Sequence, residues 1–433
     1  MRSGTYGERW IWKGNLCYSK ERRKLEIIEQ GYLLCEHGIV KGTERQIPEG
    51  WEEVPVRDFG DCLILPGLVD LHMHAPQYTF RGSGMDLELL EWLEQEAFPE
   101  EARYEDLRYA RKAYGDFARQ LKHGAVTRAC IFATLHVPST LLLMDLLEET
   151  GLQVLVGKVN MDRNSPDTLR ETDAAYSAEE TIRWLEACSG RYQRVKPILT
   201  PRFIPSCSDE LMLRLHEIQK SRRLPVQSHL SENEGEIAWV KELCPEAEFY
   251  GDVYDRFGLF GREGCRTVMA HCVYSGEAEQ QRMKENGVWI AHCPQSNTNL
   301  ASGIAPVRGF LERGLLVGLG SDVAGGSSDS IFRAMTDAIQ VSKLYWRLID
   351  QEKKPLTLEE AFYLATKGGG SFFGRVGSFE PGYEMDAVVI DDRRLRSARP
   401  FGIRQRLERI CYLSDEREIA AKCVAGKEVD LTT

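Results

Sequence analysis

The sequence has no pair of cysteines at Cys-x-x-Cys spacing, although it contains 12 cysteines in 433 residues. Isolated cysteines do not build a disulfide framework, and their pattern is typical of reduced thiols. No Pro-Cys-x-x-Cys segment is present, which excludes the zinc site of the cytidine deaminases. Cys207, Cys272 and Cys293 are interpreted as buried free cysteines rather than nucleophiles. We therefore expect a cytoplasmic protein.

Long apolar runs are also missing. The first ten residues, MRSGTYGERW, contain no apolar segment of the kind that a signal peptide needs. No run approaches the roughly 18–20 apolar residues of a membrane helix. The sequence predicts no membrane partner.

Positive charge is in deficit, because 55 lysines and arginines face 66 aspartates and glutamates, for a net charge of −11. An acidic protein is poorly suited to the phosphate backbone of nucleic acids. We therefore expect no nucleic-acid partner, and a small neutral substrate remains compatible with the charge.

The sequence does contain a regular alternation of strand-like runs and longer amphipathic segments, which is typical of βα units around a parallel sheet. Eight such strands, each followed by a helix, favour a (β/α)8 TIM-like barrel in the α/β class. The eight runs are 63–75, 125–136, 152–162, 194–203, 224–232, 267–272, 288–297 and 315–322.

Both ends of the chain have a different, β-rich texture. In YLLCEHGIVKG a His-Gly pair separates two apolar runs and predicts a hairpin, and GSFEPGYEMDAVVIDD (377–392) returns to strand-like residues. We expect a small β-sandwich domain formed by residues 1–64 together with residues 373–433. Residues 65–372 would form the barrel.

The segment LVDLHMHAPQ places two histidines one residue apart at the end of the first barrel strand. His72 and His74 then share one face of the strand, and Leu71 and Met73 point away from it. A lone histidine in a strand is more often a core residue than a ligand. His229 and Asp322, however, end strands five and eight at the same mouth of the barrel. Together the four residues predict a metal site.

Arg202, at the end of strand four, indicates a single metal. A second metal would need an anionic bridging group at that position, and a fixed guanidinium repels a cation there. Lys158 and Lys196 lie too far from the mouth to serve as bridging groups.

Glu232 follows His229 by three residues and is the candidate general base, because it lies close to the metal without being one of its ligands. An alternative is that Glu232 only begins the next helix, with Ser231 as its cap. His271, at the end of strand six, is the candidate residue that orients the reacting water.

Other features receive weaker interpretations. His37, His123 and His216 are read as structural, and no role follows for His136 and His292. The Gly-Gly-Gly segment at 368–370 lacks the lysine of a phosphate-binding loop. Residues 80–92, with Gly82 and Gly84, form the candidate lid.

Several segments together resemble the amidohydrolase superfamily and, within it, the guanine deaminases. They are PGLVDLHMHAPQY, VGKVNMD, KPILTPRF, QSHLSEN, VMAHC, IAHCPQSN and GLGSDVAGG. The His-x-His motif alone is typical of the superfamily, whereas the combination is specific to the narrower family. The resemblance covers residues 65–391.

The resemblance implies hydrolytic removal of the 2-amino group of guanine, giving xanthine and ammonia, with one Zn²⁺ per chain. It implies the metal ligands His72, His74, His229 and Asp322, and the catalytic residues Glu232, His271 and Asp322. The substrate-binding residues would be His74, Ala75, Pro76, Gln77, Arg202, Phe203, His229, Glu232 and Asp322. It also implies a homodimer that acts in purine catabolism.

Two alternatives stay open at this stage. The same chemistry could act on another purine, a pterin or a triazine, including removal of chloride. A non-catalytic scaffold relative is the remote alternative, and it conflicts with the complete set of ligand-type residues.

Overall fold

The computed structural model describes residues 8–262, 264–395 and 397–432. Within these ranges the strands are β1 (Arg9–Glu21), β2 (Lys24–Glu36), β3 (Ile39–Glu44), β4 (Val56–Pro66), β5 (Leu68–His74), β6 (Val126–Phe132), β7 (Gln153–Gly157), β8 (Val159–Asn160), β9 (Val195–Pro197), β10 (Thr200–Pro201), β11 (Val226–Leu230), β12 (Thr267–His271), β13 (Trp289–His292), β14 (Leu316–Leu319), β15 (Ala387–Ile390), β16 (Ile419–Val424) and β17 (Lys427–Glu428).

The α-helices connect and surround these strands. They are α1 (Leu89–Trp92), α2 (Phe98–Ala102), α3 (Leu107–His123), α4 (Val137–Thr150), α5 (Ala174–Cys188), α6 (Asp209–Arg222), α7 (Glu234–Leu243), α8 (Tyr250–Arg256), α9 (Glu277–Asn286), α10 (Pro294–Asn299), α11 (Val307–Arg313), α12 (Ile331–Leu348), α13 (Leu358–Tyr363) and α14 (Ile403–Leu413). In the described part of the chain, no helix combines the length and the apolar character needed to cross a bilayer.

Eight parallel strands form the ring that the sequence predicts. They pair in two four-stranded sheets, β5-β6-β7-β9 and β11-β12-β13-β14. A parallel bridge between Leu199 and Val226 joins the sheets on one side. On the other side Asp322 N donates to His72 O at 2.9 Å, and His74 N donates to Val323 O at 3.0 Å. The carboxyl ends of all eight strands therefore meet at one mouth.

Strands three and four are more interrupted than the sequence suggests. The run 152–162 divides into β7 and β8, and the run 194–203 into β9 and β10, which form a separate two-stranded sheet, β10-β8, at the mouth. Pro197 and Pro201 cannot donate backbone hydrogen bonds, which shortens the ladder there.

A register shift also corrects one expectation for β5. Its pairing with β6 is irregular between Asp70 and Met73. Leu71 belongs to the cluster inside the barrel, with Val69 and Cys130, whereas Met73 packs in the larger core outside it. Leu71 therefore does not share a face with Met73. The register shift between Asp70 and Met73 is a β-bulge, which rotates the strand between these two side chains.

The outer helices are amphipathic and cover the barrel with apolar faces. In α3 the buried residues recur at helical spacing, and the Asp106 side chain caps the first turn by accepting a hydrogen bond from Arg108 N. The buried residues of this face are Ala110, Ala113, Tyr114, Phe117, Ala118 and Leu121.

Both chain termini contribute to one further sheet of seven strands, in the order β17-β16-β15-β4-β1-β2-β3. The predicted hairpin is confirmed, since β2 and β3 are joined by His37 and Gly38, both with positive φ. The described strands pair as a single mixed sheet, and two separate facing sheets stay a prediction. The change from this sheet to the barrel falls at Gly67, between β4 and β5.

Candidate metal site and adjoining pocket

Three imidazoles converge at the mouth of the barrel. His72 and His74 end β5, and His229 lies near the end of β11. The Nε2 atom of His74 is 3.3 Å from Nε2 of His72 and 3.2 Å from Nε2 of His229. Residues that are more than 150 positions apart in sequence therefore direct the same ring atom at one point.

Asp322 completes this cluster from the end of β14. Its Oδ1 lies 3.1 Å from His72 Nε2 and 3.5 Å from His74 Nε2. The backbone of Asp322 has a positive φ of 48°, an uncommon conformation for a non-glycine residue. The structure thus brings the Asp322 carboxylate against His72 and His74.

Burial sets the protonation of the cluster. It lowers the pKa of His72, His74 and His229, so the three rings are neutral near pH 7. Burial acts to raise the pKa of Asp322, but the adjacent His72 outweighs it and holds that pKa well below its usual range. Three neutral imidazoles and one carboxylate are the protonation states that a metal requires.

The arrangement of donor atoms fits a cation. His229 Nδ1 donates to Arg202 O at 2.6 Å, so its Nε2 carries a lone pair, and that lone pair faces Nε2 of His74. Lone pairs directed at one point repel each other unless a cation lies between them. Three imidazole nitrogens and a carboxylate oxygen are a donor set that suits zinc.

His271 lies at the edge of the same cluster. The groups of side chains that could hold a metal include His72, His74 and Asp322, and also His72, His229 and His271. His271 Nδ1 donates to Asn297 Oδ1 at 2.8 Å, which leaves Nε2 directed toward the pocket. That Nε2 is 3.7 Å from Asp322 Oδ2 and 3.4 Å from Glu232 Oε2.

Glu232 is buried beside His271 and points into the site. Its Oε1 accepts a hydrogen bond from Ser302 Oγ at 3.1 Å. Burial raises the pKa of Glu232 well above the usual value, and the charge of Asp322 adds to that rise, while the Ser302 hydrogen bond opposes it. A carboxylate with a raised pKa can both accept and release protons near neutral pH.

The alternative reading of Glu232 as part of a helix cap is wrong. Helix α7 is capped by Asn233, whose side chain accepts a hydrogen bond from Gly235 N. Ser231 Oγ instead donates to Glu279, because the positive φ of Ser231 turns its side chain away from the helix.

A narrow pocket opens onto these groups. One wall is apolar and comes from the segment after β5 and the loop after β13. The lining residues are His74, Gln77, Leu89, Trp92, Leu93, Arg202, Phe203, His229, Glu232, Glu236, His271, Leu300 and Asp322. Apolar walls with a few convergent polar groups are typical of a site for a planar heterocycle.

The polar end of the pocket is formed by Arg202 and Gln77, both buried. Arg202 makes a two-point ion pair with Glu101, at 2.5 and 3.0 Å. Gln77 Nε2 donates to Glu101 Oε1 at 2.8 Å, and Gln77 Oε1 accepts from Ala324 N at 3.1 Å. Ala75 and Pro76 are buried in the turn between the metal-side histidines and Gln77.

Four residues of this region are missing from the sequence interpretation. Ser302 and Asn297 follow strand seven in a polar run, CPQSNTNLASG, which is a signal that could have been used. Glu236 accepts hydrogen bonds from Tyr250 Oη at 2.8 Å and from Glu232 N at 3.0 Å. Burial raises the pKa of Glu236 to about 7. Glu101 lies on a short acidic helix and has no sequence signal.

The remaining histidines lie outside the site. His123 is at the end of α3 and its Nδ1 contacts Arg119 O, and His216 is on α6. His136 precedes α4, at its N-terminus. His292 is buried behind the site, and neither ring nitrogen has a hydrogen-bond partner within the described ranges.

Comparison with known proteins agrees with this geometry. The sequence model of the amidohydrolase family matches residues 63–429. Guanine deaminase from Dictyostelium discoideum is 36% identical, with 97% of this chain and 98% of that protein covered. Human guanine deaminase is 42% identical, with 84% of this chain and 82% of that protein covered.

A solved structure extends the similarity to three dimensions. The crystal structure of guanine deaminase from C. acetobutylicum, with guanine bound in its active site, is 45% identical and superposes with a TM-score of 0.94. The match covers 98% of this chain and 100% of that one. This chain therefore belongs to the amidohydrolase family and, within it, to the guanine deaminases.

Proposed function

We propose that this protein catalyses the hydrolysis of guanine, in which guanine and water give xanthine and ammonia. The observation that carries the proposal is the convergence of His72, His74, His229 and Asp322 beside a pocket that Arg202 and Gln77 also line. Membership of the guanine deaminases identifies guanine as the ring that fits this pocket.

The cluster of three imidazoles and Asp322 would hold one Zn²⁺ per chain. Bound zinc lowers the pKa of a water molecule to about 7 and so supplies a nucleophile at neutral pH. Arg202 supports a single ion, because it occupies the position at the end of strand four where a second metal would need an anionic bridging group. The neutral state of His72, His74 and His229 leaves their nitrogens free to bind it.

Glu232 acts as the proton shuttle. It takes a proton from the attacking water, whose oxygen bonds to C2 and makes that carbon tetrahedral, and it delivers the proton to the ring nitrogen beside C2. Glu232 then moves the proton that remains on the new hydroxyl to the amino group, and the C2–N bond breaks to release ammonia and leave a carbonyl at C2. The raised pKa of Glu232 suits both directions of transfer.

His271 and Asp322 orient the reacting water. His271 presents Nε2 between Glu232 and Asp322 because Asn297 holds its other ring nitrogen. Fixed groups around the carbon that becomes tetrahedral stabilise the transition state without reorganisation.

Arg202 and Gln77 recognise the purine. Guanine carries an acceptor oxygen at position 6, and Arg202 has donors to offer it, whereas adenine carries a donor amino group there. Phe203, Leu89 and Trp92 line the pocket and would pack against the ring faces, and the buried Ala75 and Pro76 would lie beside the ring. Residues 80–92 would close over the bound ring.

The wider setting follows from the family resemblance. We expect a cytoplasmic homodimer that acts in purine catabolism. We also propose the division of the chain into a barrel, residues 65–372, and a small β-sandwich domain from residues 1–64 and 373–433.

The test is an assay of zinc-supplied protein with guanine, in which xanthine and ammonia are followed together. Glu232→Gln removes the shuttle and keeps the shape, so we expect kcat to fall by roughly 10²–10⁴-fold. Metal analysis should still find about one zinc per chain in this variant. Chelation should abolish activity in the unmodified protein, and added zinc should restore it.

Glu234→Gln is the matched control, because Glu234 is exposed and lies two residues away. It should leave kcat and KM unchanged. If the unmodified protein bound metal and turned over a pterin or a triazine but not guanine, the proposed substrate would be wrong. If it bound no metal and turned over none of these rings, the hydrolase assignment itself would fail.

A further inference from the structure

Glu101 is a buried carboxylate that contacts Arg202 and Gln77, two polar residues that line the pocket. It is 1% exposed and lies on the short helix α2, behind Arg202 and Gln77. Its two oxygens accept hydrogen bonds from Arg202 Nη1 and Nη2, and Oε1 also accepts from Gln77 Nε2. One side chain therefore holds both residues that face the purine.

The ion pair determines which donors of Arg202 remain for a ligand. A guanidinium has five N–H donors in a rigid plane, and two of them are used by Glu101. Within the described ranges, the Arg202 side chain makes no other hydrogen bond. With the plane fixed at two points, the remaining three donors have one orientation relative to the pocket.

Glu101 also selects one orientation of the Gln77 amide. Gln77 Nε2 faces the Glu101 carboxylate, and Gln77 Oε1 faces the N–H of Ala324. Rotation by 180° would put oxygen against carboxylate and an NH₂ group against an N–H donor. Both contacts would then be repulsive, so the amide presents a single pattern of donor and acceptor to the substrate.

The ion pair between Arg202 and Glu101 also neutralises a buried charge next to the candidate cation site. Arg202 lines the same pocket as His74, His229 and Asp322, which belong to the candidate cation site. A buried positive charge without a counter-ion would be costly and would repel that cation. Glu101 cancels it, which allows an arginine to be used for neutral guanine.

We propose that Glu101 is the positioning residue for recognition of the 6-oxygen of the purine, acting through Arg202 and Gln77. This inference rests on the proposed deamination of guanine. It predicts that loss of Glu101 weakens substrate binding more than chemistry, because the Glu101 side chain contacts Arg202 and Gln77 rather than Glu232, His271 or Asp322 among the described residues.

The experiment compares Glu101→Gln with the unmodified protein, using zinc-loaded, folded enzyme. We expect KM for guanine to rise about 10-fold or more, with kcat changed by less than about 3-fold. Hypoxanthine, which has the 6-oxygen, and purine, which lacks it, are tested as competitive inhibitors. The inhibitor ratio, which is the inhibition constant of purine divided by that of hypoxanthine, should fall toward one in the variant.

Glu100→Gln is the control on the same helix. Glu100 accepts hydrogen bonds from Thr79 and Arg103 outside the pocket, so both KM and the inhibitor ratio should stay unchanged. Misfolding of Glu101→Gln would lower the active fraction without raising KM. If that variant cannot be purified, Glu101→Asp should give the same effects to a smaller extent, about 3-fold in KM.

A double-variant cycle separates an effect through Arg202 from a general one. In an Arg202→Met background, Glu101→Gln should change the inhibitor ratio less than it does in the unmodified protein, because only the effect through Gln77 remains. If the unmodified protein deaminates guanine and Glu101→Gln and Glu101→Asp leave KM and the ratio unchanged, the role of Glu101 is refuted. Failure of the unmodified protein to deaminate guanine would refute the proposed function instead.

Discussion

Among the described side chains, only the Ser302 hydroxyl donates a hydrogen bond to the Glu232 carboxylate. It donates to Oε1 at 3.1 Å, and both residues are buried. A hydroxyl that donates to a carboxylate favours the charged form. Ser302 therefore works against the burial that raises the pKa of Glu232.

Ser302→Ala should shift the pH dependence of activity. Glu232 must be deprotonated to accept a proton from water, and loss of the hydroxyl raises its pKa further. The acid limb of kcat/KM should therefore move to higher pH, by up to about one unit. Activity should fall most below the shifted pKa and recover as the pH rises. The measurement is a pH profile of kcat/KM with guanine.

Ser296→Ala is the control for that experiment. Ser296 is a buried serine on α10, and its Oγ has no hydrogen-bond partner among the described residues. Its substitution should leave the profile in place. An unchanged profile in Ser302→Ala would contradict the role assigned to the hydroxyl.

The metal ligand candidates could be predicted at the residue scale, whereas Glu101 could not. His72, His74, His229 and Asp322 each end a strand, and the ends of parallel strands meet whatever the connecting loops do. Glu101 meets Arg202 across 101 positions of chain. That contact depends on the path of the segment after β5, which no periodic pattern predicts.

The Gly-Gly-Gly segment before residue 371 shows how one element can require small residues. A Cβ atom at Gly370 would lie 2.3 Å from Val376 O, and one at Gly368 would lie 3.0 Å from Val317 O. The segment packs against β14, and this close packing leaves no space for a methyl group.

Gly370→Ala should lower the free energy of unfolding by about 1–3 kcal/mol, because the new methyl group must displace backbone atoms. Gly115→Ala is the opposite case, since a Cβ there meets nothing within 4 Å and the residue lies inside α3. It should stabilise the protein by about 0.5–1 kcal/mol, as alanine is the better helix former. Urea denaturation measures both, and equal effects would contradict the packing argument.

At the scale of the whole molecule, a buried ion pair joins the barrel to the seven-stranded sheet. Arg128 on β6 donates to Asp386, next to β15, with Nε···Oδ2 at 2.6 Å and Nη2···Oδ1 at 2.9 Å. Both residues are almost fully buried. The pair fixes the sheet built from the chain termini to the side of the barrel.

Arg128→Met should lower the free energy of unfolding by about 3–5 kcal/mol, because it leaves the Asp386 charge buried without its partner. Combining it with Asp386→Asn should recover part of that loss. Arg191→Met, which removes a half-exposed pair with Asp145, should cost less than about 1 kcal/mol. Urea denaturation of the four proteins tests this. If Arg128→Met lowered the free energy of unfolding no more than Arg191→Met does, the role of the Arg128–Asp386 pair in joining the barrel to the sheet would be contradicted.

The sequence by itself determined the parallel barrel, the metal ligand candidates and the candidate base, because each depends on local patterns: strand period, strand ends and short motifs. Only the tertiary structure decided the bulge in β5, the division of strands three and four, and the contacts of Glu101 and Ser302. These depend on register and on loop paths, where side chains 101 and 70 positions apart meet. Such contacts arise from packing of the whole chain, and no local pattern encodes them.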